Sequence, residues 1–283
     1  MKRFDKVIVI GGTGLLYQAA EIMLKADISD EVWVYECKSN GIAKKVSENI
    51  KIRITEGKKA LMEALESEDK DSLVLSVMNP YIITEAVINN TNLFILNLHH
   101  AILPYHRGRN CEAWAIYEGD AEAGITWHRV NAGVDTGEIY LQKSVEITDK
   151  TTSLRLLTQL NKISMDALNE LIDIGFDNLT VTAVNDSSVG KCHMLRDIPN
   201  GGELDLNASA DEISRFLRAM DYGILSVLGQ PFVVFNGERY NWKSYSIKPT
   251  DDERDSVEYN SEENVLYITK SGILIILKQL KGI

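Results

Sequence analysis

The first half of the chain alternates short apolar runs with polar stretches of helical periodicity. The apolar runs are rich in β-branched and aromatic residues, which is typical of buried strands; they are KVIVI (6–10), EVWVY (31–35), LVLSV (73–77) and LFILNL (93–98). Helical stretches at residues 15–25, 57–68 and 81–90 separate them. This alternation predicts an α/β fold, a Rossmann-like and mostly parallel sheet covered by helices.

The rest of the chain predicts a second, smaller domain. Strand patterns at 125–130 and 138–147 precede an amphipathic helix, predicted from Thr151 as its cap to Ile174. The turn sequence Pro-Asn-Gly-Gly at 199–202 then marks a change in composition. We therefore expect a catalytic-type domain at 1–202 and a small, mostly β, OB-like domain at 203–283, with a helix at 210–220 and strands at 231–235, 239–247, 265–269 and 273–277.

Charge and cysteine usage narrow the class of protein. The chain has 30 basic and 41 acidic residues, a formal net charge of −11, which disfavours general nucleic-acid binding. The three cysteines show no disulfide or metal spacing, as expected in a reducing compartment. The chain shows no secretory leader pattern and no apolar run long enough to cross a bilayer. We therefore expect a cytoplasmic protein without a membrane partner.

A glycine-rich turn follows the first predicted strand. Gly12 and Gly14 supply two members of a dinucleotide fingerprint. Glu36 ends the second strand, at the position where a dinucleotide site has an acidic residue that binds the ribose hydroxyl. Tyr17 stands at the third glycine position, where a bulky ring obstructs close packing of helix and strand. We expect no NAD, and we expect Gly12 and Thr13 to bind a phosphate-bearing substrate at the helix N-terminus.

Polar residues gather at the end of the apolar strand that closes at Leu98. Asn97 and His99 are two residues apart on this strand and share a face. Asp135 lies in a glycine-bounded loop that can fold back beside them, and the carboxyl ends of parallel strands are where ligands bind. An amide, an imidazole and a carboxylate together fit acyl transfer to an amine: the imidazole takes the proton, the amide donates to the oxyanion, and the carboxylate orients the imidazole.

The stretch from Leu96 to Gln142 resembles the folate-dependent formyltransferases, which include methionyl-tRNA, glycinamide-ribonucleotide and sugar-nucleotide formyltransferases. The resemblance rests on motifs in matching order and spacing: Asn97-Leu98-His99, Leu103-Pro104, Arg107-Gly108, Trp114-Ala115-Ile116 and Asp135-Thr136-Gly137.

The resemblance implies a donor and assigns site residues. It implies 10-formyltetrahydrofolate as co-substrate and Asn97, His99 and Asp135 as the catalytic triplet. It also implies the residues that contact the folate: Asn79, Tyr81, Leu103, Pro104, Gly133, Val134 and Gly137. Arg107 either anchors its loop or meets the substrate.

The same residues permit other interpretations. Four histidines (99, 100, 106 and 128) suggest a metal, but adjacent residues of a strand point to opposite faces and no cysteine or carboxylate stands at ligand spacing. We therefore expect no metal, and we interpret His100 and His128 as structural. A non-catalytic folate or nucleotide sensor that keeps the pocket is a further alternative, although a sensor needs no general base.

The acceptor amine stays open between two classes. Small molecules, a nucleotide-linked amino sugar or an amino-acid-like metabolite, compete with the aminoacyl end of initiator tRNA. Residues 203–283 contain 13 acidic and nine basic residues, a net charge of −4, which is unfavourable for holding a polyanion. The small-molecule amine is favoured, and exposed edges of the C-terminal sheet permit a homodimer.

Overall fold

A seven-stranded sheet forms the centre of the first part of the chain. The computed structural model describes residues 2–37, 46–225 and 227–283. The strands of this sheet are β1 (Lys6–Gly11), β2 (Val32–Glu36), β3 (Ile50–Ile54), β4 (Ser72–Val77), β5 (Leu93–His99), β7 (Glu122–Arg129) and β8 (Ile139–Glu146). A short strand, β6 (Arg107–Gly108), lies between β5 and β7 in sequence, and a second short strand, β9 (Cys192–His193), follows β8.

The order of strands in the sheet is β3-β2-β1-β4-β5-β7-β8. The first five are parallel to their neighbours, and β7 pairs antiparallel with β5. Every residue of β1 and β4 is buried, as expected for strands in the middle of a parallel sheet. The predicted α/β fold with a mostly parallel sheet is confirmed.

Six α-helices accompany the strands in the described residues. They are α1 (Gly14–Lys25), α2 (Gly57–Glu66), α3 (Glu85–Ile88), α4 (Cys111–Glu118), α5 (Ser153–Ile174) and α6 (Ala210–Met220). In α1, the buried positions Leu16, Ala19, Ala20 and Met23 follow helical spacing and form one apolar stripe. A Ser209–Glu212 capping box begins α6.

The C-terminal residues form two four-stranded sheets. One has the order β10-β11-β12-β17 and the other β13-β16-β15-β14. Their strands are β10 (Glu203–Leu204), β11 (Phe232–Phe235), β12 (Glu238–Asn241), β13 (Ser244–Pro249), β14 (Ser256–Asn260), β15 (Val265–Lys270), β16 (Ile273–Lys278) and β17 (Lys281–Gly282). The predicted β-rich character of this part is confirmed.

The chain divides into two compact units. The first contains Met1–Arg109, Gly124–Val145 and Gln159–Cys192, and the second contains Asn110–Ala123, Glu146–Thr158 and His193–Ile283. The predicted boundary between residues 202 and 203 concerns domains that fold on their own, and it stays a prediction.

Several predicted elements differ from the structure. The helix predicted at 81–90 is reduced to α3, since the segment before it forms a turn around Pro80. The strand predicted at 239–247 is two strands, because the chain breaks the ladder at Trp242-Lys243. Thr152, and not Thr151, has its hydroxyl at the start of α5, 3.5 Å from the Arg155 N–H.

His100 is buried directly after β5. The hydroxyl of Ser164 donates to the Leu160 carbonyl, so it accepts from His100 Nε2 at 3.4 Å. His100 Nδ1 has no hydrogen-bond partner in the described part of the chain. Burial, with the nearby His99 as a second cause, lowers the pKa of His100 to about 3. The folded protein therefore holds this imidazole neutral.

This burial predicts a loss of stability at low pH. Because the pKa of His100 is about 3 when folded and roughly 6.5 when unfolded, the unfolded chain binds the extra proton as the pH falls from about 7 to 4. We expect this to lower the free energy of unfolding by about 2–3 kcal/mol, and we expect His100→Gln to remove that part. Urea unfolding of both proteins at the two pH values measures it; equal pH dependence would contradict the prediction.

Candidate active site

Asn97 and His99 lie at the carboxyl end of β5, beside β7. In the antiparallel register Asn97 is opposite His128 and His99 is opposite Thr126. Cross-strand partners share a face of the sheet, so His128 and Thr126 stand with the two predicted residues. His99 and His128 are 5% and 3% exposed. The reversal of strand direction at β7 thus places a second histidine in the candidate site.

The hydrogen bonds of His128 fix the orientation of the Asn97 amide. His128 Nδ1 lies 2.8 Å from the Arg129 carbonyl, which only accepts, so Nδ1 carries the proton. In the neutral ring Nε2 is then an acceptor, and Asn97 Nδ2 donates to it at 3.1 Å. The second amide hydrogen points to Asp135 Oδ1 at 3.4 Å. Both hydrogens of the Asn97 amide therefore have acceptors.

The Asp135 loop folds back onto the end of β5. Asp135 has a φ of 53°, in the left-handed region. Position 137 requires glycine, because a Cβ there would overlap the Arg129 carbonyl. The Asp135 carboxylate accepts from the Gly108 N–H at 2.9 Å, and its Oδ2 lies 3.5 Å from His99 Nδ1. The structure thus brings Asn97, His99 and Asp135 together.

The protonation pattern of His99 follows from the His106 carbonyl. His99 Nε2 lies 2.9 Å from this oxygen and donates to it. In the neutral ring the basic nitrogen is therefore Nδ1, the one that faces Asp135. A proton taken up at Nδ1 would lie between the imidazole and the carboxylate, which stabilises the charged form.

Burial and neighbouring charges act in opposite directions on these groups. Burial lowers the pKa of His99 and outweighs the Asp135 charge, which raises it. For Asp135, burial raises the pKa, but His99, His128 and the Gly108 N–H together lower it well below its usual range. The cluster therefore holds an ionised carboxylate beside an imidazole that is neutral near neutral pH, the state that a general base requires.

The predicted folate-contact residues lie on the loops that follow β4, β5 and β7. After β4, the Asn79 side chain accepts from the Tyr81 N–H at 3.1 Å and donates to the Tyr81 carbonyl at 2.9 Å, so it shapes this loop. Leu103 is 2% exposed, and both its backbone groups are bound, by Thr126 and Gln142. It shapes the loop before Pro104, whereas Gly133 and Val134 are exposed.

The glycine turn lies two strands from the cluster. Gly12 and Thr13 follow β1, which β4 separates from β5. The Tyr17 hydroxyl donates to the buried carboxylate of Glu36 at 2.7 Å. The acid that would meet a ribose hydroxyl in a dinucleotide site thus already binds Tyr17.

Arg107 has an anchored backbone. Its N–H donates to the Lys191 carbonyl at 3.0 Å. Its buried Nε has no hydrogen-bond partner among the described residues. The backbone fits the loop-anchor alternative, and contact of its guanidinium with substrate stays a prediction.

Other features of the described residues lie outside the cluster. A cavity of about 280 Å³ in the second unit is lined by Tyr117, Asp205, Arg215 and neighbours, and includes none of the predicted site residues. Within ranges 2–37, 46–225 and 227–283, no group of three His, Cys, Asp or Glu side chains is arranged to hold a metal. No helix of those ranges has the length and apolar character to span a bilayer.

The sequence interpretation of His128 as structural did not predict its contacts with Asn97 and Asp135. A signal was present: in Ile125-Thr126-Trp127-His128 the polar residues alternate with apolar ones, so Thr126 and His128 share one face. The contribution of the Gly108 N–H had no such signal, because backbone groups are not specified by residue type.

The contacts of His99 and His128 with Asp135 predict how substitution of either histidine changes the pKa of Asp135. We expect His99→Gln and His128→Gln each to raise the pKa of Asp135, because each removes an imidazole whose protonated form, present in acid, lowers that pKa. An NMR titration of carbon-13-labelled carboxylates measures this value. Asp186 is the internal control, since its pKa is lowered by Ser188 and should stay constant. An unchanged Asp135 in both variants would show that the histidines do not stabilise its carboxylate.

Comparisons with known proteins identify related sequences and a similar fold. The chain is 31% identical over 150 residues to a GDP-perosamine N-formyltransferase of Brucella melitensis, covering 49% of this chain and 54% of that protein, about half its length. It is 27% identical to a methionyl-tRNA formyltransferase of Ehrlichia canis, covering 79% and 70%. The structure resembles an N-formyltransferase from Helicobacter canadensis, solved with folinic acid and dTDP-3-aminofucose, with a TM-score of 0.71, 19% identity and 98% and 99% coverage.

The resemblance seen in the motifs is confirmed by a family model. Residues 24–172 match the formyl transferase family, a span that contains Asn97, His99 and Asp135. Because this match covers more than half of the 283 residues, the chain belongs to the formyl transferase family.

Proposed function

We propose that this protein transfers the formyl group of 10-formyltetrahydrofolate to the primary amine of a nucleotide-linked amino sugar. The observation that carries the proposal is the contact of Asn97, His99 and Asp135 at the end of β5, in a chain of the formyl transferase family. The names of the Brucella and Helicobacter proteins, both linked to amino sugars, support this class of acceptor.

The reaction joins the amine to the formyl carbon. The amine nitrogen attacks that carbon, the carbon–nitrogen bond to the folate breaks, and one proton moves from the amine to the leaving folate nitrogen. His99 accepts the proton at Nδ1 and returns it to the leaving group, while Asp135 stabilises the charged imidazole. No covalent enzyme intermediate is needed.

Asn97 stabilises the oxyanion of the tetrahedral intermediate. One of its hydrogens points to His128 at 3.1 Å and the other to Asp135 at the longer distance of 3.4 Å. The oxyanion takes the hydrogen that now faces Asp135, since that bond is the weaker. Such a donor contributes about 3–4 kcal/mol in comparable sites.

The loops around the cluster provide the donor site. The folate-contact residues of this proposal are those implied by the family motifs: Asn79, Tyr81, Leu103, Pro104, Gly133, Val134 and Gly137. Val134 is 41% exposed and offers apolar surface, whereas Leu103 is buried and acts by shaping its loop. Gly12, Thr13 and Arg107 are proposed to contact the nucleotide-linked substrate.

Methionyl-tRNA is the second candidate acceptor. It is supported by the Ehrlichia relative, whose match covers 79% of this chain. The net charge of −4 over residues 203–283 favours the small molecule, since tRNA binding requires positive surface.

We also propose a cytoplasmic location and a homodimer. All three cysteines are free, and two of them are buried, which suits a reducing compartment that holds reduced folate. The edge strands β13 and β14 of the C-terminal sheet are a candidate surface for a second copy.

A panel assay tests the reaction and its acceptor. The purified protein, given 10-formyltetrahydrofolate with nucleotide-linked amino sugars, small amines or methionyl-tRNA, is expected to release tetrahydrofolate fastest with an amino sugar. His99→Ala should lower kcat by about 100-fold or more, since general-base catalysis is lost. Product release with methionyl-tRNA alone would favour the second candidate, and turnover of no amine would overturn the proposed reaction.

A further inference from the structure

Residues 182–191, which follow α5 and are here called the crossing segment, contact both loops that build the site. The Thr182 N–H donates to the Ile139 carbonyl at 2.9 Å, next to the Asp135 loop. At the other end, the Lys191 carbonyl accepts from the Arg107 N–H at 3.0 Å. Gly190 has a φ of 71°, and a Cβ there would lie 2.7 Å from the Pro104 carbonyl oxygen. The crossing segment therefore packs closely against the loop that supplies Gly108.

Asn185 is the residue of this segment that holds the Asp135 loop. Its Nδ2 donates to the Asp135 carbonyl at 3.0 Å and to the Gly137 carbonyl at 2.7 Å. These two carbonyls stand on either side of Thr136. The nitrogen of the amide, and not its oxygen, must serve both, because each carbonyl is an acceptor.

The oxygen of the Asn185 amide shows the energetic cost of this arrangement. Asn185 Oδ1 is buried and has no hydrogen-bond partner among the described residues. A buried acceptor without a partner is destabilising. The two hydrogen bonds that Nδ2 donates offset this cost and hold the side chain in place. Asp135, whose backbone receives one of them, has a left-handed φ of 53° that a non-glycine residue adopts only with support.

We propose that Asn185 is a positioning residue, which fixes the backbone of Asp135 so that the carboxylate lies beside His99. The proposal rests on the proposed formyl transfer for its catalytic meaning. Its geometric part stands on the two hydrogen bonds alone. No motif of the sequence pointed to Asn185, which lies 50 residues from Asp135.

The titration of His99 provides a readout that does not depend on activity. His99 is faced by Asp135, His106 and His128, and it influences the adjacent His100. Among the facing side chains Asp135 raises the pKa of His99, and the two histidines lower it. Moving the carboxylate away must therefore lower the pKa of His99.

The test compares Asn185→Leu, which keeps the shape of the side chain and removes its donors, with Asp135→Asn and the wild-type protein. Asn178→Leu is the matched control, because Asn178 Nδ2 also donates to a backbone carbonyl, that of Ile174, at 3.0 Å. NMR titration of the His99 ring should show a lower pKa in Asn185→Leu, shifted in the same direction as in Asp135→Asn. The Asn178→Leu value should equal that of the wild type. If Asn185→Leu does not fold, Asn185→Ala replaces it.

Kinetics with the best acceptor of the panel provide the second measurement. We expect kcat of the Asn185 variant to fall about tenfold to 100-fold, since small misplacements of a catalytic group have effects of this size. KM for the formyl donor should change less than about twofold. A His99 pKa equal to the wild-type value in a folded Asn185 variant would overturn the proposal. An inactive wild type would overturn the formyl transfer instead, and the titration would still decide the position of Asp135.

Discussion

The buried carboxylate of Asp135 is the group on which the rest of the site depends. Removing an ionised carboxylate from water is costly unless it is paired and hydrogen-bonded. Here the Gly108 N–H, the Asn97 amide and two imidazoles surround it. These groups come from β5, β6 and β7, so the charge on the Asp135 loop couples four segments of the chain.

The orientation of the polar side chains around Asp135 follows from two backbone carbonyls. The Arg129 carbonyl fixes the proton of His128 on Nδ1, and the His106 carbonyl fixes that of His99 on Nε2. His128 Nε2 then accepts from Asn97, and His99 Nδ1 is left as the base. The chemistry of the side chains is thus set by main-chain acceptors, which accept hydrogen bonds whatever residue carries them.

In the glycine turn after β1, a tertiary contact supplies a partner to the acidic residue that a dinucleotide motif would use. Two of its glycines and the acid at the end of β2 suit a dinucleotide, but Tyr17 occupies the third glycine position. The ring is buried, and its hydroxyl binds the Glu36 carboxylate. The Glu36 carboxylate therefore has a hydrogen-bond donor within the protein itself, the hydroxyl of Tyr17.

Strong local patterns predicted most of the fold. The buried strands β1, β2, β4 and β5 carry mostly apolar runs, and α6 begins and ends as its periodicity indicates. The edge strand β3 was missed, because its charged residues alternate with isoleucine and only one of its five residues is buried. Strand β14 is equally short and half exposed. Edge strands make weak patterns because only one side of them has a neighbour.

The sequence by itself determined the residue types of the site and the strand that carries Asn97 and His99, because strand periodicity places residues two apart on one face. It also determined the family, through motifs in register over Leu96 to Gln142. The tertiary structure alone decided that His128 stands opposite Asn97, that the Gly108 N–H reaches Asp135, and that Asn185 holds the Asp135 loop. Those contacts depend on strand pairing and loop closure between segments up to 50 residues apart, and a local pattern carries no information about distances of that kind.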